Sequence, residues 1–295
     1  MISLRTALQR RSDQQLAAGS VGLVVTFLLE LAVPAGWPRA AVAAMGATGF
    51  SFGAIGRIGQ ALGAAPRRER LPWLFIGAGV ASWIIGKLIR SMFLVAELRL
   101  ESPNVADAAD LIAAALFAGG FVAFLRGQRI AVYALILDAA AVVFVMTAAI
   151  AFAVQDVFLS EMASDPVSTI AVVLFTLLYA AATAAGVSAL FAVPADASQR
   201  SQRLLVTGVG AIAVAYAISL PQYLHGTFVS GTLVDPLWMA GMLCISVGAS
   251  SSIEDRAVHV RPRASHATPE FARMALPAVV AAAPAVLIVI AEERR

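Results

Sequence analysis

WIIGKLIRSMFLVAELRLESPNVADAAD, residues 83–110, places Lys87 and Arg90 inside an otherwise apolar, helix-length run and sets Asp107 and Asp110 at the opening of the next one. Charge inside lipid is expensive, so residues of this kind turn toward the bundle interior, pair with one another, or line a functional cavity. The flanking sequence decides whether lipid is the right setting.

Sixty per cent of the 295 residues are hydrophobic and 13% are charged, with a mean hydropathy of +0.84. A soluble domain carries about 25% charged residues. The apolar residues also fall in long blocks separated by short polar breaks. This pattern reads as an all-α, polytopic integral membrane bundle, one transmembrane domain over residues 1–295. Nine candidate spans are expected: 16–33, 40–63, 72–96, 105–125, 130–154, 167–193, 203–224, 234–253 and 274–291. Pro34, Pro38, Pro72, Pro103, Pro166 and Pro194 fall near proposed span ends, where helix punctuation belongs. The run from Leu16 to Val33, preceded by Arg5, Arg10 and Arg11, is too long for the apolar region of a signal peptide, so an uncleaved first span is expected.

Arginine placement tests the order of the spans. With a cytoplasmic N-terminus, the inner segments hold Arg5, Arg10, Arg11, Arg57, Arg67, Arg68, Arg70, Arg126, Arg129, Arg200, Arg203, Arg256, Arg261, Arg263 and Arg273. The outer segments hold only Arg39, Arg99, Arg294 and Arg295, and the connections at 155–166 and 225–233 have no Lys or Arg. That bias is the one expected of a multi-pass protein of the bacterial plasma (inner) membrane. A ninth span leaves the C-terminus outside, so either the chain ends there or a tenth span and further sequence follow.

The sequence pI of 9.5 does not point to nucleic acid, because the basic residues lie between hydrophobic blocks and form no contiguous patch. Cys244 is the single cysteine, which rules out an intrachain disulfide and a thiolate metal cluster. No nucleotide-binding glycine loop, His-Glu-x-x-His pair or nucleophile elbow is present. Asp138 alone lies clearly inside a span, which leaves no pair for an intramembrane aspartyl protease. No catalysis, cofactor or metal is expected.

Candidate site residues gather on the outer side. At the helical rise, Arg90 lies about 9 Å below the outer end of its span and Asp110 about 7 Å below the end of the next. Lys87/Arg90 and Asp107/Asp110 are each spaced i, i+3, so each pair presents one face. The two bases are therefore expected to face the two acids across a helical hairpin, either as a structural ion-pair set or as the wall of a ligand pocket. Glu30, Tyr223, His225 and Asp235 fall on the same side. Asp107, Asp110 and Asp235 also sit near helix N-termini, where the macrodipole favours negative charge. Asp138 lies deeper, about 12 Å into its span from the cytoplasmic side, and reads as a hydrogen-bonded packing acid. Trp37, Trp73, Tyr223 and Trp238 read as interfacial anchors.

Two patterns concern architecture. Gly46, Gly49, Gly53, Gly56, Gly59 and Gly63 form one stripe on the second span, expected chiefly as an intramolecular packing face, with a homodimer face or a mobile helix as the alternatives. A parallel internal repeat of four helices is suggested by Gly77-Ala-Gly79 leading to Trp83 and Gly208-Val-Gly210 leading to Tyr216, followed by Asp107 and Asp235 opening later spans.

Trp73, Trp83-x-x-Gly86, Ser102-Pro103-x-x-Ala106-Asp107, Leu137-Asp138-Ala139, Asp235-x-x-Trp238-x-x-Gly241 and Ala249-Ser250-Ser251 follow one another in an order that resembles the multi-span N-terminal membrane region of actinobacterial cyclic-di-GMP signalling proteins. Such proteins carry GGDEF and often EAL domains after the membrane region. No GGDEF or EAL sequence occurs here, so the resemblance implies an input module with a separate or missing effector and no cyclase or phosphodiesterase activity. A non-catalytic sensory or regulatory module in the lipid bilayer, working with a signalling effector, is the leading expectation. A small-solute transporter is the alternative, and a scaffold within a larger complex is a third.

Overall fold

The computed structural model describes residues 2–96, 98, 103–126, 160–162, 164–192, 199–224, 231–232 and 234–258. The candidate spans at 130–154 and 274–291, with Asp138 and His225, lie outside the described residues.

Seven long helices account for nearly all of the described chain: α1 (Ile2–Ala32), α2 (Trp37–Ala64), α3 (Arg70–Val95), α4 (Val105–Arg126), α5 (Pro166–Ala192), α6 (Gln199–Leu224) and α7 (Asp235–Val258). Each contains a segment long and apolar enough to cross a membrane. The protein is therefore a multi-pass helical membrane bundle. Large apolar side chains on the outer faces of the helices, such as Leu28 and Leu29 on α1 and Ile218 on α6, are exposed, as lipid-facing positions should be.

Helix boundaries follow local chemistry. Gly36, at φ +107°, makes the turn between α1 and α2, and Pro38 occupies the first turn of α2. The Arg39 Nε and Nη2 groups both donate to the Val33 carbonyl, closing the end of α1. Before α4, the Asn104 side-chain oxygen accepts from the Ala106 and Asp107 amides, while Asp107 Oδ2 accepts from the Asn104 amide. This reciprocal capping box satisfies donors a helix start otherwise leaves bare. Before α7 the same device recurs: Asp235 Oδ2 accepts from the Thr232 and Gly231 amides, and Thr232 Oγ1 accepts from Val234.

Helices α2 to α7 pack in chain order around a ring, and α7 returns onto α2 to close it. Helix α1 lies outside the ring against α7 and α2. Two hairpins supply opposite sides. In α3–α4, a Cβ at Gly79 would stand 3.3 Å from the Ala113 carbonyl oxygen, and one at Gly120 would stand 3.4 Å from that of Pro72. In α6–α7, a Cβ at Gly208 would stand 2.6 Å from the Gly241 carbonyl oxygen, and one at Gly248 would stand 3.1 Å from that of Ser201. The crossing points correspond: Gly79 with Gly208, Ala113 with Gly241, Pro72 with Ser201 and Gly120 with Gly248. Helix limits share this spacing, since Trp37, Arg70 and Val95 precede Pro166, Gln199 and Leu224 by one constant interval.

The glycine stripe of α2 does not pack inside the bundle as expected. A Cβ at Gly49, Gly53, Gly56, Gly59 or Gly63 would meet nothing within 4 Å among the described residues. Only Gly46 has close neighbours, Thr26 and Met239. The opposite face, Ala40, Ala43, Ala47, Ser51, Ala54, Ile58 and Ala61, is the buried one. Alanine already allows close helix approach while giving contact area that glycine lacks, so the alanine face turns inward.

Candidate functional site

Inside the ring, toward the end formed by the C-termini of α3 and α6 and the N-termini of α4 and α7, the buried charged groups meet. Arg90 on α3 spans both acids of α4. Its Nη2 donates to Asp107 Oδ1 at 2.8 Å, and its Nη1 stands 2.7 Å from Asp110 Oδ2. The Asp110 side chain is fully buried, and that of Asp107 is 6% exposed. Gly86 on α3 makes this approach feasible, because a Cβ there would stand 3.2 Å from Asp110 Oδ1. A planar guanidinium serves two carboxylates at once, which an ammonium does less well.

Lys87 departs from the expected pairing. Its Nζ makes no ion pair with Asp107 or Asp110 in the geometry described; it sits 3.1 Å from the Trp238 ring centroid, 5.0 Å from Trp83 and 5.9 Å from Tyr216. The physical reason is angular. Three residues advance a helix by about 300°, so when Arg90 points at α4, Lys87 points toward the ring axis. There the aromatic side chains of α6 and α7 supply the negative faces of their rings to a cation.

An aromatic cluster extends from this lysine. Trp83 meets Trp238 edge-on at 6.4 Å, Tyr216 lies 5.6 Å from Trp238, and Tyr179 stacks on Tyr216 at 4.7 Å. Phe175 packs against both Tyr216 and Tyr223, at 5.0 and 5.5 Å. Trp73 and Trp238 are each 1% exposed, so neither is the interfacial anchor its place in the sequence suggests; Trp37, 64% exposed, keeps a position consistent with that role. Trp83 Nε1 has no hydrogen-bond partner among the described residues. The rings of Trp83, Trp238 and Tyr216 thus cage the Lys87 amine, with the Trp83 indole N–H beside it.

Of the remaining candidates, Asp235 is held in the α7 capping box, Tyr223 joins the aromatic cluster, and Glu30 is buried at the end of α1. Sequence reasoning passed over the cage itself. A signal for it was present: Trp238 follows Asp235 by three residues, as Asp110 follows Asp107, so it occupies in α7 the position of a site acid in α4.

Toward the opposite end, the interior is closed by Trp73, Ile76, Val80, Phe117, Phe121, Leu205, Val209, Met242 and Ile245, all buried. Beyond them, arginines tie the helix ends together. Arg256 pairs with Glu69 at 3.0 Å, and Arg200 pairs with Asp13. Among the described residues, no group of three or more His, Cys, Asp or Glu residues is placed to hold a metal ion.

Comparison with family models, with curated proteins and with solved structures finds no match. The class, a multi-pass helical membrane bundle, rests on the chain's own architecture.

Proposed function

We propose that this chain is a non-catalytic sensory or regulatory input module of bacterial signal transduction, with the Lys87 cage as its ligand site. One observation carries the reading: the buried acids of the ring, Asp107, Asp110 and Asp235, gather with Lys87 and Arg90 at one end, above a layer of apolar side chains, whereas the buried polar groups of the other end are serines such as Ser188, Ser201 and Ser251. Such a layout concentrates charge at one end of the bundle and separates it from the other by an apolar layer among the described residues. A ligand bearing a carboxylate or other small anion on an apolar body suits the cage, since it could take Lys87 from the rings and accept a bond from Trp83 Nε1. Binding there would alter the packing of α3 against α6 and α7, the kind of helix shift that relays a signal.

The same reading places the N-terminus in the cytoplasm and the caged end outside, following the arginine bias. It also takes α2–α3–α4 and α5–α6–α7 as two copies of one unit related by an axis along the membrane normal. Matched glycine crossings, matched capping boxes and the constant interval between helix limits support this. Tyr216 then stands in the second copy where Lys87 stands in the first, a shift of four residues from the Trp83–Tyr216 correspondence expected from sequence. The duplicated ring is also what favours the small-solute transporter as a second reading, because parallel repeats often build such proteins.

Solute flux in proteoliposomes separates the two. The sensory reading expects no uptake above that of empty liposomes for carboxylate, amino-acid or sugar solutes. Uptake abolished by Lys87→Met would establish a transporter. Alkaline phosphatase fused after Pro103 is expected to be active and fused after Arg68 inactive; the reverse pattern overturns the orientation.

A further inference from the structure

Helix α1 is docked in an unusual way. Its large apolar residues Val21, Val24, Val25, Leu28, Leu29 and Leu31 are exposed, while the polar Ser12 and Glu30 are buried. The Ser12 end is tied down by hydrogen bonding to Glu254 and by the Asp13–Arg200 pair. Glu30 is 2% exposed, yet neither of its carboxyl oxygens has a hydrogen-bond partner among the described residues.

Its neighbours leave it so. From α2, the Arg39 guanidinium is committed to the Val33 carbonyl, and the stem of Arg39 lies over Gly231 in the turn before α7. From α7, the facing charge is Asp235, a second acid, whose Oδ2 is already taken by two backbone amides. Lys87 and Arg90 of α3 lie beyond, engaged by the aromatic cage and by the α4 acids. Among the charged side chains that α1, α2, α3, α4 and α7 bring to this end, Glu30, Asp107, Asp110 and Asp235 outnumber Arg39, Lys87 and Arg90 by one. An ionised carboxylate buried with no hydrogen bond is among the costliest arrangements in a protein, and a neutral carboxyl is far cheaper.

From this geometry we infer that Glu30 is a proton-binding site in the seam between α1, α2 and α7, and that the bound proton seats α1 against the ring. The proton comes from, and returns to, water at the caged end of the bundle. With it bound, the Glu30 carboxyl is neutral and stays buried. Once it leaves, the carboxylate faces Asp235 with no donor to hold it, and the end of α1 must lift toward water or draw Arg39 away from Val33. The inference holds whether the ring senses a ligand or moves a solute.

Infrared spectroscopy of the full chain in lipid nanodiscs tests it. At about pH 6, solvated carboxyls, with ordinary values of about 3.9–4.3, are ionised. The wild type is expected to retain a protonated-carboxyl band that Glu30→Gln removes and that moves in frequency in Glu30→Asp. The Asp variant decides the matter if the Gln variant fails to assemble. In a Cys244→Ser background, cysteines at Thr26 and Gly46, which face each other across α1 and α2 near Glu30, are expected to cross-link progressively less, as pH rises, than the same pair carrying Glu30→Gln, which supplies the correction for the growing thiolate fraction. A wild type without the band, or a band unmoved by Glu30→Asp, overturns the site. A band or cross-linking profile that follows sodium concentration at fixed pH overturns the proton as its ligand.

Discussion

Hairpins α3–α4 and α6–α7 have the same frame and different interiors. Both start their second helix with a capping box, at Asn104/Asp107 and at Thr232/Asp235, and both cross at glycines facing carbonyl oxygens. Three residues after the capping acid, the first hairpin has Asp110 and the second has Trp238. The first is therefore locked by the Arg90 ion pairs, whereas the second is locked by direct backbone contact at Gly208 and Gly241 and presents an aromatic ring in place of the second acid. The contrast separates what the frame requires, a cap and a close crossing, from the position after the cap, which is free to carry function. Lys87 lies where the two interiors meet, and its partners come from the aromatic hairpin.

The largest effect should come from breaking the ionic lock. Asp110→Ala leaves Arg90 with a buried, half-compensated charge, and loss of one partner of a buried pair costs about 3–5 kcal/mol. Reversible unfolding in mixed micelles should show that loss, and Arg90→Met with Asp107→Asn and Asp110→Leu, which leaves no charge of the set unpaired, should recover most of it. A triple variant as unstable as Asp110→Ala would mean the charges do more than hold the hairpin.

Next comes the backbone lock of the other hairpin. Gly208→Ala places a methyl group 2.6 Å from the Gly241 carbonyl oxygen, whereas Gly79→Ala has 3.3 Å to Ala113. Overpacking costs about 1–3 kcal/mol, with Gly208→Ala at the upper end and Gly79→Ala below it in the same unfolding measurement. Equal costs would show that the two crossings are equally tight.

The caps should differ less. Asn104→Ala removes acceptors for two amides at the start of α4, with a loss of about 1 kcal/mol. Thr232→Ala, whose hydroxyl accepts one long bond of 3.4 Å, should cost less. Smallest of all is Gly53→Ala on the open face of α2. With nothing within 4 Å of the new methyl, helix propensity alone should raise stability by up to about 1 kcal/mol. A loss of stability, with a shift to lower mass in native mass spectrometry, would show that the glycine stripe holds a second copy of the chain.

Much of this molecule was legible along the chain. Lipid imposes a severe local rule, that every span be helical, apolar and about 20 residues long, so α2 to α7 begin and end within a few residues of the expected limits, whereas α1 starts well before the expected Leu16, at Ile2. The convergence of Arg90, Asp107 and Asp110 followed from helical depth and i, i+3 spacing, because adjacent antiparallel helices leave few alternatives. Three features needed the tertiary structure. Which face of α2 turns inward depends on its neighbours, and glycine and alanine stripes are nearly equal in hydropathy. The fate of Lys87 depends on rings contributed by helices more than 120 residues away in sequence, which no local spacing reports. The burial of Trp73 and Trp238 depends on ring closure, since a tryptophan near a span end suits a lipid interface and a bundle interior equally well. Sequence by itself determined where the charges lie along the membrane normal; only the closing of the ring decided what each of them faces.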